Sequence, residues 1–338
     1  MWFNKESRVD VVLGMSWGDE GKGKVVKYFA SKLKYDYCLR FNGGHNAGHT
    51  VYIDGEKVVT HIVPTGALNK GTVGLIGPGA VLDPDKFFLE LETLKKYNPK
   101  VLVAKNTHII TSSHKEEDGK DGDKIGTTKT GNGPCYRDKY ARTGLRAEDV
   151  SDLKEFLFDP YEIFQNKDSK RILAEGAQGF FLDIDWGEYP YVTSSHCGIG
   201  GLLNNGLTIN QIDEVIGVSK CYDTYVGSKR FQGPETELVE LAKLGNEVGS
   251  TTGRLRQTNW LNLQNLTKAV KLNSVSTLVI NKCDVLQQLG KFVMFDLNGE
   301  KKEYQSWDDM AGTILEVLSE TCDLSESRIE FSSNPETI

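Results

Sequence analysis

Val9-Asp10-Val11-Val12-Leu13, running into Gly14-Met15-Ser16-Trp17-Gly18-Asp19-Glu20-Gly21-Lys22-Gly23-Lys24, is the stretch that decides how this chain is read. A short apolar strand enters a loop with four glycines, and a helical pattern follows over Lys22–Leu33. Strand, glycine-rich loop and helix in that order put free backbone N–H groups at a helix N-terminus, where they hold anions such as phosphate. Glycine removes the Cβ that would block the approach. The segment is not a Walker A sequence, because Gly23 rather than Ser or Thr follows Lys22 and the preceding glycines are spaced differently. Asp19 and Glu20 are foreign to a plain phosphate cradle. A carboxylate there suits a metal ligand or a proton acceptor. A turn that merely caps a helix accounts for the glycines but not for the charges.

Working outward, short β-branched runs recur at Tyr37–Phe41, Val73–Ile76, Val101–Val103, Arg171–Ala174, Val215–Val218 and Leu278–Ile280. Helical patterns lie between them over Asp85–Lys96, Thr258–Lys271 and Asp308–Glu320. The alternation predicts an α/β fold with a central, largely parallel sheet and flanking helices. No repeat or linker interrupts it, so residues 1–338 are expected to form one elaborated domain. Phe292–Leu297, Asn298-Gly299 and Lys301–Tyr304 read as a β-hairpin. The charged run from Ser113 to Lys124 predicts an exposed loop or flap.

The 338 residues include 40 basic and 47 acidic side chains, for a net charge of −7. That balance argues against a nucleic-acid partner, which asks for a broad basic face. No run is apolar enough to span a membrane and the first residues are polar, so a cytoplasmic protein without a membrane partner is expected. The six cysteines contain no Cys-x-x-Cys pair, which predicts reduced thiols and no structural zinc.

Further segments carry chemistry. Gly43-Gly44-His45-Asn46-Ala47-Gly48-His49-Thr50 places two histidines in a glycine-rich loop, where they suit a phosphate partner or general acid better than a metal pair. Ile125-Gly126-Thr127-Thr128-Lys129-Thr130-Gly131-Asn132-Gly133-Pro134 suits a second phosphate site. Arg137, Lys139, Arg142 and Arg146 form a basic cluster that reads equally well as a solvated helix face. Asn281-Lys282-Cys283-Asp284 follows a strand, and a carboxylate there can accept the N1–H and 2-amino group of guanine. Ser250-Thr251-Thr252-Gly253-Arg254-Leu255-Arg256 sets two arginine forks at alternating positions, a pattern for carboxylate or phosphate, with a salt-bridged surface loop as the plainer reading. Glu175-Gly176-Ala177-Gln178-Gly179 and Tyr189-Pro190-Tyr191-Val192-Thr193-Ser194-Ser195 offer amides and hydroxyls at strand ends, as polar ligands require.

Together, in this order and over nearly the whole chain, these segments resemble adenylosuccinate synthetase. The family joins L-aspartate to C6 of a purine 5′-monophosphate and splits a nucleoside triphosphate. The resemblance implies the family's nucleotide-binding α/β architecture and the following roles. Asp19 would take the N1 proton of the 6-oxopurine and bind Mg²⁺, with the Gly48 carbonyl as a second ligand. His49 would assist transfer of the γ-phosphoryl group to O6, and Lys22 would hold triphosphate oxygens. Gly18, Glu20, Gly21, Gly23, Lys24 and Thr50 would complete the triphosphate site. Asn281, Lys282, Asp284, Ser333, Asn334 and Pro335 would form its base end. Asn46, Thr128, Gln178 and Thr193 would bind the purine monophosphate, and Arg142 would reach its phosphate from a partner subunit in a homodimer. Thr251, Thr252, Gly253, Arg254 and Arg256 would grip aspartate.

The chain departs from the family's pattern in places, and it is shorter than bacterial members. Ser16 and Asn42 stand where glutamines are usual, and Lys129-Thr130 replaces Gly-Arg. The stretch from Tyr225 to Glu235 replaces one that opens Arg-Val-Gly, and Gln257 and Asn259 replace Arg and Gly. Asn334 stands where a glycine packs on the donor base. With Asp19 and His49 kept, altered nucleotide choice on unchanged chemistry is the expectation. A short, phage-encoded branch of the family acts on dGMP and can use an adenine triphosphate. Ser16 could make room for the 2-amino group, and Val226 lies where the sugar would be read. The expectation is therefore dGMP as acceptor, with the IMP enzyme next and a catalytically silent nucleotide-binding regulator last. ATP, dATP and GTP all stay open as donor, because Asp284 favours guanine and Asn334 does not.

Overall fold

The computed structural model describes residues 7–121, 126–166, 168–249, 253, 255–334 and 338. Its centre is a sheet of nine strands, ordered Ile329–Phe331, Thr277–Asn281, Ile212–Lys220, Arg8–Gly14, Arg171–Glu175, Tyr37–Arg40, Val73–Ile76, Lys100–Ala104 and Leu157–Phe158. Every pairing is parallel. Arg8–Gly14 lies in the middle, with Val11 opposite Ala174 on one side and Val215 on the other. Covered on both faces, such strands read as unbroken apolar runs, which is why they stand out in the sequence. Val9, Val11, Val12 and Leu13 are all fully buried.

Helix Lys22–Lys32 returns the chain from the first strand to Tyr37–Arg40, and Arg171–Glu175 lies between the two. Such a crossing opens a crevice at the carboxyl ends of the strands, where ligands bind. A second sheet of four strands, Tyr222–Tyr225, Gln257–Asn262, Phe292–Phe295 and Lys301–Tyr304, stands beside the first. Its last two strands are antiparallel and form the expected hairpin.

Two expectations need correction. The pattern over 258–271 is a helix only from Leu263 to Leu272; before it, Gln257–Asn262 is a strand paired with Tyr222–Tyr225. Trp260 fills the core there, and the Asn262 side chain caps the helix by accepting from the Asn265 amide at 2.9 Å. The charged run is helical over Ser112–Asp121 rather than a loop, and its last residues, 122–124, fall outside the described residues. Tertiary anchors hold it: His114 Nδ1 accepts the Thr111 amide at 3.1 Å, and Asp118 accepts Thr127 Oγ1 and the Gly131 amide, both at 2.8 Å.

All six cysteines are free thiols. Among the described residues, no helix is long and apolar enough to cross a membrane.

Candidate active site

The loop after Arg8–Gly14 is folded around its own glutamate. Glu20 Oε1 accepts the amides of Ser16 at 3.2 Å and Gly18 at 2.8 Å, and its Oε2 takes the Lys22 ammonium at 2.6 Å. Gly18, Asp19 and Gly21 carry left-handed φ values of 90°, 61° and 94°. That winding is natural for glycine and tolerated by aspartate. The outcome is that Glu20 lies beneath the loop while Asp19 stands on top of it. Helix Lys22–Lys32 then starts with no side-chain cap and no acid in its first turn. Its open N–H groups are suited to an anion.

Asp19 opens onto a cavity of about 600 Å³ at the carboxyl ends of the strands. Lys22, His49, Asn46, Thr128, Gln178, Thr193, Val226 and Arg256 share its wall, with Gly18, Gly21, Gly23, Gly48 and Thr50. Segments spread across the sequence from residue 17 to residue 256 thus converge on one space. Gln178 holds a left-handed φ of 58° and its buried Oε1 has no hydrogen-bond partner. That oxygen is turned back toward Gly43, where a Cβ would meet it at 2.9 Å, so Gln178 meets the cavity with the rest of its residue. Gly179 permits the packing behind it, because a Cβ there would come within 2.4 Å of the Ser16 carbonyl and 2.5 Å of the Gly18 amide.

Charge is paired behind the wall. Glu175, fully buried, accepts Arg40 Nη2 at 3.2 Å, the Thr65 amide at 2.6 Å, Thr65 Oγ1 at 2.7 Å, and His49 Nδ1–H. Burial opposes its charge, but Arg40 and His49 outweigh burial and hold the carboxyl at about 2. Burial and then Arg40 push the His49 imidazole down to about 4 against the pull of Glu175. His49 is therefore neutral at pH 7 in the empty site, with its Nδ1 proton committed to Glu175. On the opposite side, Arg256 Nε donates to Asp19 Oδ2 at 2.7 Å and Nη1 donates to Glu247 at 2.5 Å.

A third corner gathers at the ends of the first strand, Thr277–Asn281 and Ile329–Phe331. Lys24 Nζ donates to Ser332 Oγ at 2.8 Å and to the Asn334 carbonyl at 2.9 Å. Asn281 Nδ2 donates to the Glu20 carbonyl at 2.8 Å, and Lys282 Nζ to the Gly245 carbonyl at 2.9 Å. Asp284 lies in the first turn of helix Cys283–Leu289, close enough to Lys24 to act on it electrostatically. Burial brings the Lys24 ammonium down to about 8. This corner adjoins the cavity through Lys24 and Asn281 but does not line it.

Other predicted residues lie elsewhere. Ser16 is buried behind the wall, its hydroxyl 3.3 Å from Ser219 Oγ and 3.5 Å from Asp223, so it leaves no space in the cavity. Asn42 clamps the amide and carbonyl of Ala177 at 2.8 and 3.1 Å, and Gln257 Oε1 accepts the amides of Phe231 and Gln232 at 2.8 and 3.0 Å. These replacements hold loops rather than face a ligand. Arg142 is exposed at the end of helix Asn132–Ala141, and Gly253 also lies outside the wall. Thr251, Thr252, Arg254 and Pro335 fall outside the described residues. The sequence reading passed over Arg40, Lys220 and Glu247. For Arg40 and Lys220 the available signal was a charged residue at the end of an apolar strand, which in a parallel sheet demands a buried partner; Glu247, in the loop after helix Thr236–Leu244, carries no such signal.

A family model for adenylosuccinate synthetase matches residues 11–167 and 153–322. The chain belongs to the adenylosuccinate synthetase family. The adenylosuccinate synthetase of Picrophilus torridus is 38% identical over 89% of this chain and 83% of its own length. The fully ligated adenylosuccinate synthetase from Plasmodium falciparum superposes with a TM-score of 0.85 at 25% identity, covering 97% of this chain and 98% of that one. The cyanophage S-2L succinoaminodeoxyadenylate synthetase, solved with dGMP and dATP, superposes with a TM-score of 0.76 over 98% and 94% of the two chains, and at 23% identity it speaks for the fold alone. As an adenylosuccinate synthetase-type enzyme, the chain is a carbon–nitrogen ligase that joins aspartate to a purine nucleotide.

Proposed function

We propose that the acceptor is dGMP and that the chain makes its N6-succino derivative, the precursor of a 2-aminoadenine nucleotide. The observation that carries the sugar preference is Tyr225. It stands in the cavity wall beside Val226, where the family's pattern has arginine. Its hydroxyl is engaged with the backbone of Lys229, and its ring packs 5.5 Å from Phe231 under the Lys229 ammonium. An aromatic face with its only polar atom turned away offers no partner to a ribose 2′-hydroxyl, and burying that hydroxyl unpaired costs about 1–3 kcal/mol. A deoxyribose avoids the cost.

The chemistry follows from the residues in the wall. An oxygen on C6 of an amide-like ring does not leave unless it is activated. Asp19 takes the N1 proton, which drives charge onto O6. O6 attacks the γ-phosphorus, the diphosphate departs, and a 6-phosphoryl intermediate remains. The aspartate amine then attacks C6, phosphate leaves, and the amine sheds its proton. Lys22 and the open amides of helix Lys22–Lys32 hold the phosphates. His49 is neutral in the empty site, and negative phosphates arriving beside it favour its imidazolium form, which can donate to the group in transfer. Gln178 borders the base from the cavity wall, and Arg256 takes a carboxylate of aspartate.

The donor set also fits Mg²⁺. Asp19 offers a carboxylate and Gly48 a backbone carbonyl in the same wall, all hard oxygen. Magnesium asks for few protein ligands and completes its shell with phosphates and water. Bound there, it would neutralise charge on the phosphates. Arg142, exposed, is proposed to act on the monophosphate of a second copy in a homodimer.

Phosphate release with aspartate, each of dGMP, GMP and IMP, and each of ATP, dATP and GTP tests the proposal. Turnover with dGMP is the expected result, and turnover with IMP but not dGMP overturns it. The IMP reading has its own support in the Picrophilus torridus relative, since adenylosuccinate is the aspartate adduct of IMP.

A further inference from the structure

We propose that Glu247 is a positioning residue for aspartate, which fixes Arg256 between the incoming carboxylate and Asp19. The inference rests on the function just proposed, in which Arg256 receives aspartate. Arg256 and Asp19 stand in the cavity wall, whereas Glu247 lies behind it with a fully buried side chain. Arg256 donates Nε to Asp19 at 2.7 Å and Nη1 to Glu247 at 2.5 Å. Its Nη2 has no partner among the described residues. Two edges of the planar fork are therefore spoken for, and the remaining N–H edge is presented in one direction. A guanidinium anchored in this way can meet a carboxylate without first losing its rotamer freedom.

Glu247 is itself held from the sheets. Lys220, at the end of Ile212–Lys220, donates to its two oxygens at 3.1 and 3.0 Å, and Tyr222 Oη donates at 2.5 Å. The backbone adds to this: the Arg256 amide donates to the Glu247 carbonyl at 3.0 Å, and Val248 and Leu255 form an antiparallel bridge beside it. Burial opposes the Glu247 charge, but Lys220 and Arg256 outweigh it and hold the carboxyl at about 2. The chain Lys220, Glu247, Arg256, Asp19 alternates in sign and sums to zero. It links the rigid core to the proposed base through the one group that aspartate is to touch. A glutamate needed only to pair Lys220 would have no call on the guanidinium.

Glu247→Gln keeps the shape of the side chain and removes the charge that holds Arg256. In steady-state phosphate release with the full chain, KM for L-aspartate should rise at least tenfold, while KM for the purine monophosphate and the triphosphate stay within about twofold. Glu247→Asp, which keeps the charge, should fall between wild type and Glu247→Gln. An unchanged KM for aspartate, or a fall in kcat with all KM values unmoved, overturns the inference. If Glu247→Gln does not fold because Lys220 is left unpaired, Glu247→Gln combined with Lys220→Met removes both buried charges, and the same rise confined to aspartate is expected. Wild type measured in parallel separates the two readings: a wild type that does not use aspartate overturns the proposed function and this inference with it, whereas a wild type that uses aspartate while Glu247→Gln leaves its KM unchanged overturns the inference alone.

Discussion

Glu20→Ala tests whether the phosphate loop is folded around its own carboxylate. The substitution strips two backbone amides, those of Ser16 and Gly18, of their acceptor, and leaves the Lys22 ammonium, 3% exposed, without its counter-charge. A buried unsatisfied donor costs about 1–3 kcal/mol, and breaking one side of a buried ion pair costs about 3–5 kcal/mol. The two overlap, because the loop can relax once for both, so a loss of about 4 kcal/mol is expected. That is a large share of the roughly 5–15 kcal/mol by which domains are stable. Glu20→Gln keeps the Oε1 acceptor for the two amides but sets an amide NH2 against the Lys22 ammonium, so its loss should fall short of that of Glu20→Ala only by the cost of the two amides. Urea titrations of the ligand-free protein at pH 7.5 measure both. Repeating them with saturating triphosphate and magnesium adds the decisive comparison, because phosphate oxygens can stand in for the lost carboxylate beside Lys22. The gap between Glu20→Ala and wild type should then shrink by at least half. A loss below about 1 kcal/mol, or a gap that triphosphate leaves unchanged, refutes the reasoning.

Asp19→Asn should abolish phosphate release and leave monophosphate affinity within a few-fold, as measured by calorimetry; near-normal turnover removes Asp19 as the base. His45 and His49 are held at about 3 and about 4 by burial, below the ordinary 6.5, so the unfolded chain binds more protons. Their stabilisation is full above pH 6.5 and drains as pH falls toward 4, by on the order of 2 kcal/mol per imidazole at pH 5, and His49→Gln should flatten the urea-midpoint profile over that window. Gly179→Ala should lower turnover at least a hundredfold with a smaller change in stability, because its Cβ meets the backbone of the phosphate loop at 2.4 Å and the loop has to shift; wild-type turnover would show that the loop yields freely.

The central strands were legible because parallel strands buried on both faces leave unbroken apolar runs such as Val11 to Leu13. The phosphate loop was legible because glycines and charges at a strand–helix junction have few other uses. Helix Ser112–Asp121 was not, since its own composition is that of a solvated segment and its anchors, Asp118 to Gly131 and His114 to Asp138, come from later in the chain. Gln257–Asn262 looked helical because the apolar residues of a short strand run without a break into those of the helix behind it. At the site, residue types could be read but directions could not. Ser16 is small, and the sequence could not tell that its hydroxyl turns toward Ser219 and Asp223. Arg40 and Glu175 are 135 residues apart, so each shows in the sequence only as a charge without a partner.

The nine-stranded sheet ends in very short strands, Leu157–Phe158 at one edge and Ile329–Phe331 at the other, of two and three residues. A long open edge would be a template on which other chains could pair. Here each rim offers too few free amides and carbonyls to recruit a foreign strand. The arrangement blunts both edges of the completed sheet against fibril-like growth, and it leaves association between copies to side-chain surfaces, where specificity can be encoded.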